Sequence, residues 1–212
     1  MVKTEWELEI VPAQDGQGRE ARSDRLLVPA EPTAIRIVGS RPIPRTFHQD
    51  ARGFLIETMR ADDREVRGSE FQMSYLSLTV PGQFRDADRW HVHRVQTDRF
   101  VVVLGEMILA MLDDRPDSPS FGRLEVVRMC GMSSSEPTHS TPLEIVTHLV
   151  AIPPGVMHCI ANLGSEPFLL QNYPTELYNP GDEGRVLFAT KVVRSLDGPF
   201  SWGLVKRSNG LS

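Results

Sequence analysis

Short apolar runs, each closed by Gly, Pro, Asp or Asn, recur through the middle of this chain, and scarcely any stretch keeps helical periodicity. Residues 71–80 alternate, and residues 100–104, 106–112, 124–129, 143–152, 158–163 and 167–172 are largely β-branched or aliphatic; all read as strands. A succession of this kind points to an all-β sandwich or barrel. Residues 34–38 (Ala-Ile-Arg-Ile-Val) read as one more short strand, and Pro42 and Pro44 forbid a central ladder position just after it. Gly53 centres a turn between two extended pieces within 46–57. Residues 62–67 open on two acids, which suits one or two helical turns.

The 212 residues suffice for one well-cored domain with additions at its ends. We read an N-terminal extension over 1–33, a barrel over 34–190 and a C-terminal tail over 191–212. The net charge of −5 and the lack of a long basic run argue against nucleic acid as a partner and favour a small molecule. Two cysteines, Cys130 and Cys159, are too few for a disulfide framework and are expected to be reduced. No segment approaches the roughly 18 apolar residues of a membrane span, and the start of the chain lacks a signal-peptide run. A cytoplasmic protein is therefore expected.

The chemistry concentrates in residues 89–105. His91 and His93 are two apart, so on a strand both imidazoles leave the same face of the sheet. Asp98 follows after four residues, and an apolar run then leads to a turn at Gly105. A distant piece, Pro153-Pro-Gly-Val-Met-His158-Cys-Ile-Ala-Asn162, adds another histidine behind its own Pro-Gly turn. Neutral imidazole and carboxylate together suit Fe, Mn, Ni, Zn or Cu. His48, His139 and His148 fit neither spacing and read as loop or surface residues.

The spacings H-x-H-x4-D-x6-G and P-x-G-x2-H-x3-N resemble the two motifs of the cupin superfamily, with Asp98 where the usual ligand is Glu. That resemblance implies a cupin (double-stranded β-helix, or jelly-roll) barrel in which His91, His93, Asp98 and His158 converge as a candidate metal set.

A closer likeness is carried by Asp50-Ala-Arg-Gly-Phe-Leu-Ile-Glu57, Phe71-Gln72, Asp114-Arg-Pro-Asp-Ser-Pro-Ser-Phe-Gly122, Pro154-Gly-Val-Met-His158 and Tyr178-Asn-Pro-Gly-Asp-Glu-Gly184. In this order they resemble the dTDP-4-dehydrorhamnose 3,5-epimerase (RmlC-like) family, over about residues 34–188. The resemblance implies a homodimeric cupin without organic cofactor that moves protons beside the 4-keto group of a nucleotide-linked sugar in carbohydrate biosynthesis. It places the base on His91, a second histidine on His158, the acid on Tyr178, and substrate contacts on Arg52, Phe54, Glu57 and Gln72, with Arg89 near the family's arginine. The family's Arg-Gly-Leu-His-x-Gln reads Asp88-Arg-Trp-His-Val-His93 here, its lysine aligns near Asp98-Arg99, and its later Trp-Asn-Asp is missing.

Proton loss beside a ketone needs a base of near-neutral pKa and a group that stabilises the enolate oxygen. Histidine suits the first task, and tyrosine suits proton return from the opposite face. With the lysine replaced, a divalent metal would supply the electrophile. The expectation is an epimerase or isomerase on a sugar nucleotide or similar anion. The alternatives are a mononuclear metal cupin of oxygenase or lyase type, and a cupin that only binds a small molecule.

Overall fold

The computed structural model describes residues 11–14, 20–50, 53–60, 63, 72–132 and 146–208. In chain order its strands are β1 (Val11–Gln14), β2 (Glu20–Leu26), β3 (Pro42–Asp50), β4 (Gly53–Ile56), β5 (Tyr75–Thr79), β6 (Phe84–Arg85), β7 (Arg89–His93), β8 (Asp98–Leu104), β9 (Glu106–Asp113), β10 (Leu124–Cys130), β11 (Val146–Ile152), β12 (Val156–Ala161), β13 (Phe168–Asn172) and β14 (Glu183–Leu187). One helix, α1 (Trp202–Ser208), closes the described chain. β1 and β2 form a hairpin, and the other strands form two antiparallel sheets. The first runs β4-β3-β11-β8-β13-β5, and the second β10-β9-β12-β7-β14 with β6 beside β12. This is the all-β cupin architecture that the strand succession and the two motifs imply.

Period-two alternation divides the apolar residues between two cores. Met107, Leu109 and Met111 of β9 meet Val150, Ile152, Phe168 and Leu170 from the other sheet between the layers. Ile108, Ala110 and Leu112 of the same strand face outward, where Trp90, Phe188, Phe200, Trp202 and Val205 cover them. A strand buried on both faces reads as an unbroken apolar run, as 107–112 does. The residues beyond 190 thus pack as the outer layer of the second sheet, tied further by the Leu27 N–H on the Leu204 carbonyl at 3.2 Å.

Residues 34–38 are not a strand. Pro32–Ala34 forms a 3-10 turn, and the following loop drops Ile35 and Ile37 into the inter-sheet core while Arg36 stays out. Pro32 starts the turn, and the Arg36 N–H is held by Glu125 at 3.1 Å, so the apolar alternation there belongs to a plugging loop without a ladder partner. Pro42 and Pro44 fall in the half of β3 that pairs only with β11, since β4 pairs with Phe47–Asp50, and the expectation drawn from them holds. The helical turns expected over 62–67 lie outside the described residues except Asp63.

Among the described residues no helix is long and apolar enough to cross a membrane. Phe200 is 1% exposed, with its ring centroid 4.9 Å from that of Trp90 and 5.0 Å from that of Phe188. Phe200→Ala removes the centre of this cluster, and a loss of about 3–5 kcal/mol is expected in urea unfolding.

Candidate functional site

The alternation along β7 sends Trp90 into the outer core and His91 and His93 into the space between the sheets. β12 pairs with β7 so that His158 lies opposite His91, and β8 begins with Asp98. All four side chains of the expected set therefore converge. His91 Nε2 and His93 Nε2 are 2.8 Å apart, and Asp98 Oδ2 is 3.5 Å from His93 Nε2 and 3.3 Å from His158 Nε2. They line a cleft of about 270 Å³ together with Tyr75, Phe100, Leu170, Tyr178, Glu183 and Arg185.

The hydrogen-bond partners assign the tautomers. Asp182 accepts the backbone N–H groups of Arg94, Val95 and Gln96 at 3.0, 2.9 and 3.1 Å. It also faces His93 Nδ1 at 3.2 Å. A carboxylate only accepts, so His93 carries its proton on Nδ1 and turns a lone pair on Nε2 toward the cleft. Arg185 donates to His91 Nδ1. A guanidinium only donates, so neutral His91 bears its proton on Nε2 and gives it to His93 Nε2. The result is a directed chain from Arg185 through His91 and His93 to Asp182. His158 gives its Nδ1–H to the Val156 carbonyl at 3.2 Å and turns Nε2 toward Asp98 Oδ2 at 3.3 Å.

Asp98 is buried, yet its partners compensate. Gln96 Nε2 and Asn172 Nδ2 each donate to Oδ1 at 2.8 Å. Burial pushes the carboxyl up, and the contacts from His158, Asn172 and His93 outweigh it, leaving the group below its ordinary range. Asp182 is likewise held low, because its backbone N–H bonds and His93 overcome desolvation. It therefore keeps its charge at neutral pH, and its grip is lost only as the pH falls through that lowered value. Tyr75 is 43% exposed as a residue, and the partial burial of its hydroxyl end raises that group.

The other expected residues divide. Tyr178 stands at the cleft mouth, 68% exposed. Arg89 pairs with Asp88 outside the cleft lining, and Glu57 pairs with Arg60, also outside it. Gln72 is half-buried and not in the lining, while its neighbour Met73 is. Phe54 lies on β4, and Arg52 is outside the described residues. His48 and His148 sit on strands β3 and β11 rather than in loops. His148 is half-buried, and that burial lowers its pKa. His139 lies outside the described residues. Tyr75, Gln96, Asn172, Asp182 and Arg185 also line or hold the cleft, and none of them belongs to the expected set. The available signal was the Tyr178–Gly184 segment, which contains Asp182, and the position of Asn172 at the end of its strand.

No family model matches the chain. A probable low-salt glycan biosynthesis epimerase of Haloferax volcanii is 36% identical over 134 residues, covering 63% of this chain and 75% of that protein. The chain belongs to the RmlC-like epimerase family of cupins. A dTDP sugar isomerase of Desulfovibrio desulfuricans superposes on the RmlC-like barrel with a TM-score of 0.61 at 25% identity, over 80% of this chain and 96% of its own. The RmlC epimerase of Legionella pneumophila, crystallised with dTDP-4-keto-L-rhamnose, shares the fold at a TM-score of 0.60 and 20% identity, over 79% and 82%. As a member of an epimerase family the protein is an enzyme of the epimerase or isomerase type.

Asp182→Asn would place an amide N–H₂ or a single acceptor where two carboxylate oxygens now serve four donors. Activity is expected to fall about 10- to 100-fold, on the scale of lost outer-shell partners. Far-UV circular dichroism should be retained, and the histidine ¹⁵N shifts should report a changed His93 tautomer.

Proposed function

We propose that the protein transfers a proton at the carbon beside the carbonyl of a nucleotide-linked keto-sugar, with His91 as base and Tyr178 as acid. The observation that carries this reading is the chain from His91 Nε2 to His93 Nε2, 2.8 Å, and on from His93 Nδ1 to Asp182, 3.2 Å. When His91 takes up a proton on Nδ1, its Nε2–H stays bonded to His93, whose own N–H is anchored on a carboxylate. The imidazolium is stabilised at a distance by Asp182, in place of the aspartate that the family's missing Trp-Asn-Asp would carry. Arg185 holds the Nδ1 lone pair in the resting site. An anionic substrate that draws the guanidinium onto itself frees that lone pair, which couples binding to activation of the base. Arg85 and Arg185 are the cations of the cleft lining and suit a diphosphate at its mouth.

A bound divalent metal is a second reading, favoured by His91, Asp98 and His158 offering ligand atoms within 4.8 Å of one another. The donor set as arranged fits it poorly. The Nε2 lone pair of His93 already faces the Gln96 amide nitrogen at 3.0 Å. A metal on His91 Nε2 would force Nδ1–H against the Arg185 N–H. Where bound, such an ion would act as a Lewis acid on the carbonyl oxygen.

Leu76, Leu78 and Val80 are exposed at 58%, 54% and 48% along and just beyond the edge strand β5. This apolar stripe supports a homodimer.

Two experiments test the proposal. Solvent deuterium is expected to enter a dTDP-linked 4-keto-6-deoxyglucose beside its carbonyl, and His91→Asn and Tyr178→Phe should each slow this by about 100-fold or more. Exchange at wild-type rate in His91→Asn would sink the assigned base. The untagged protein should run as a dimer in light scattering and carry far less than one metal per chain. Stoichiometric metal lost in His158→Ala would establish the second reading instead.

A further inference from the structure

The cleft holds a hydroxyl that the mechanism above leaves unused. Tyr75 stands on β5 of one sheet and lines the same cleft as His91, His93 and His158 of the other. Its oxygen is 2.9 Å from Asn172 Nδ2. The Asn172 amide has one possible orientation, because its Oδ1 accepts the Arg99 backbone N–H at 2.9 Å. The nitrogen therefore faces both Asp98 Oδ1, at 2.8 Å, and Tyr75. Its two protons are committed to those contacts, so the Tyr75 oxygen accepts and its own O–H remains to be donated elsewhere.

The two arginines of the cleft lining are engaged. Arg185 bonds His91 and pairs with Asp86 at 3.2 Å. Arg85 is spread over Thr79 and the Leu78 carbonyl at 3.3 and 3.0 Å. Arg99, near which the family's lysine aligns, is 1% exposed and donates to the Met59 sulfur instead of lining the cleft. A carbonyl oxygen entering the cleft thus meets no lysine, and beside the three histidines and Asp98 Tyr75 offers it an O–H that Asn172 has already oriented.

We propose that Tyr75 donates the hydrogen bond that stabilises the enolate oxygen during proton transfer. This inference rests on the proton-transfer reading above. As His91 removes the proton, the C–H electron pair becomes the new C=C bond and the C=O pair moves onto oxygen. Tyr75 strengthens its O–H bond to that oxygen and keeps its proton. Proton delivery from Tyr178 to carbon returns the pair to the carbonyl, and His91 and Tyr178 re-equilibrate with water. Asn172 fixes the direction of the hydroxyl and acts as a positioning residue.

Tyr75→Phe keeps the ring and deletes the donor. Deuterium entry into dTDP-linked 4-keto-6-deoxyglucose is expected to slow by about 100-fold or more, while dTDP affinity by calorimetry and the melting temperature stay near wild type. Three results would overturn the inference. With wild type active, exchange by Tyr75→Phe within about threefold of it sinks the role of Tyr75 alone. Loss of dTDP affinity and melting temperature in step with activity assigns the hydroxyl to structure. No exchange by wild type fells the proton-transfer reading and this one together.

Discussion

A single buried carboxylate organises the functional end of the barrel. Asp182 accepts three consecutive backbone N–H groups of the turn between β7 and β8 and fixes the proton of His93. Unpaired, those N–H groups would each carry a desolvation penalty of about 1–3 kcal/mol. Paired, they set where β8 begins and so where Asp98 stands relative to the histidines. The turn therefore shapes the site, and a residue from a distant loop holds the turn.

The cleft is polar, and the barrel beyond it is filled with Met, Val, Ile and Phe. Such a division is stable when every polar atom inside has a partner. Gln96 and Asn172 supply most of that satisfaction, each placing both protons of one amide. Gln96 bonds His93 and Asp98, and Asn172 bonds Tyr75 and Asp98. These two neutral side chains join a histidine pair, a carboxylate and a phenol into one network, and with His158 beside it the acid stays ionised although buried.

Much of the architecture was legible because it rests on local rules. The strands of both sheets announce themselves by alternation and closing turns, and the two-residue spacing of His91 and His93 correctly places both imidazoles on one face. Asp98 and His158 joined them through motif spacing. Residues 34–38 misled because two isoleucines filling a barrel end leave the same pattern as a strand. Tyr75 carries no local mark, and Asp182 and Asn172 are marked only by a turn segment and a strand end, neither of which names a partner. Their importance comes from a partner roughly 90 positions away or more in some cases, such as Asn172 with Tyr75 and Asp182 with His93. Asp182, just ahead of β14, backs His93 with a carboxylate.

The two-sided use of β7 has a further consequence. Its odd-numbered residues His91 and His93 face the cleft, and Trp90 between the sheets' outer layer and the strand is fully buried against Phe188 and Phe200. A one-residue insertion or deletion within the strand would exchange the two sets, sending imidazoles into an aromatic layer and an indole into the cleft. The chemistry of this site can therefore change through residue identity at fixed positions such as 91 and 93, whereas a change of length is accommodated only in the loops around the strand.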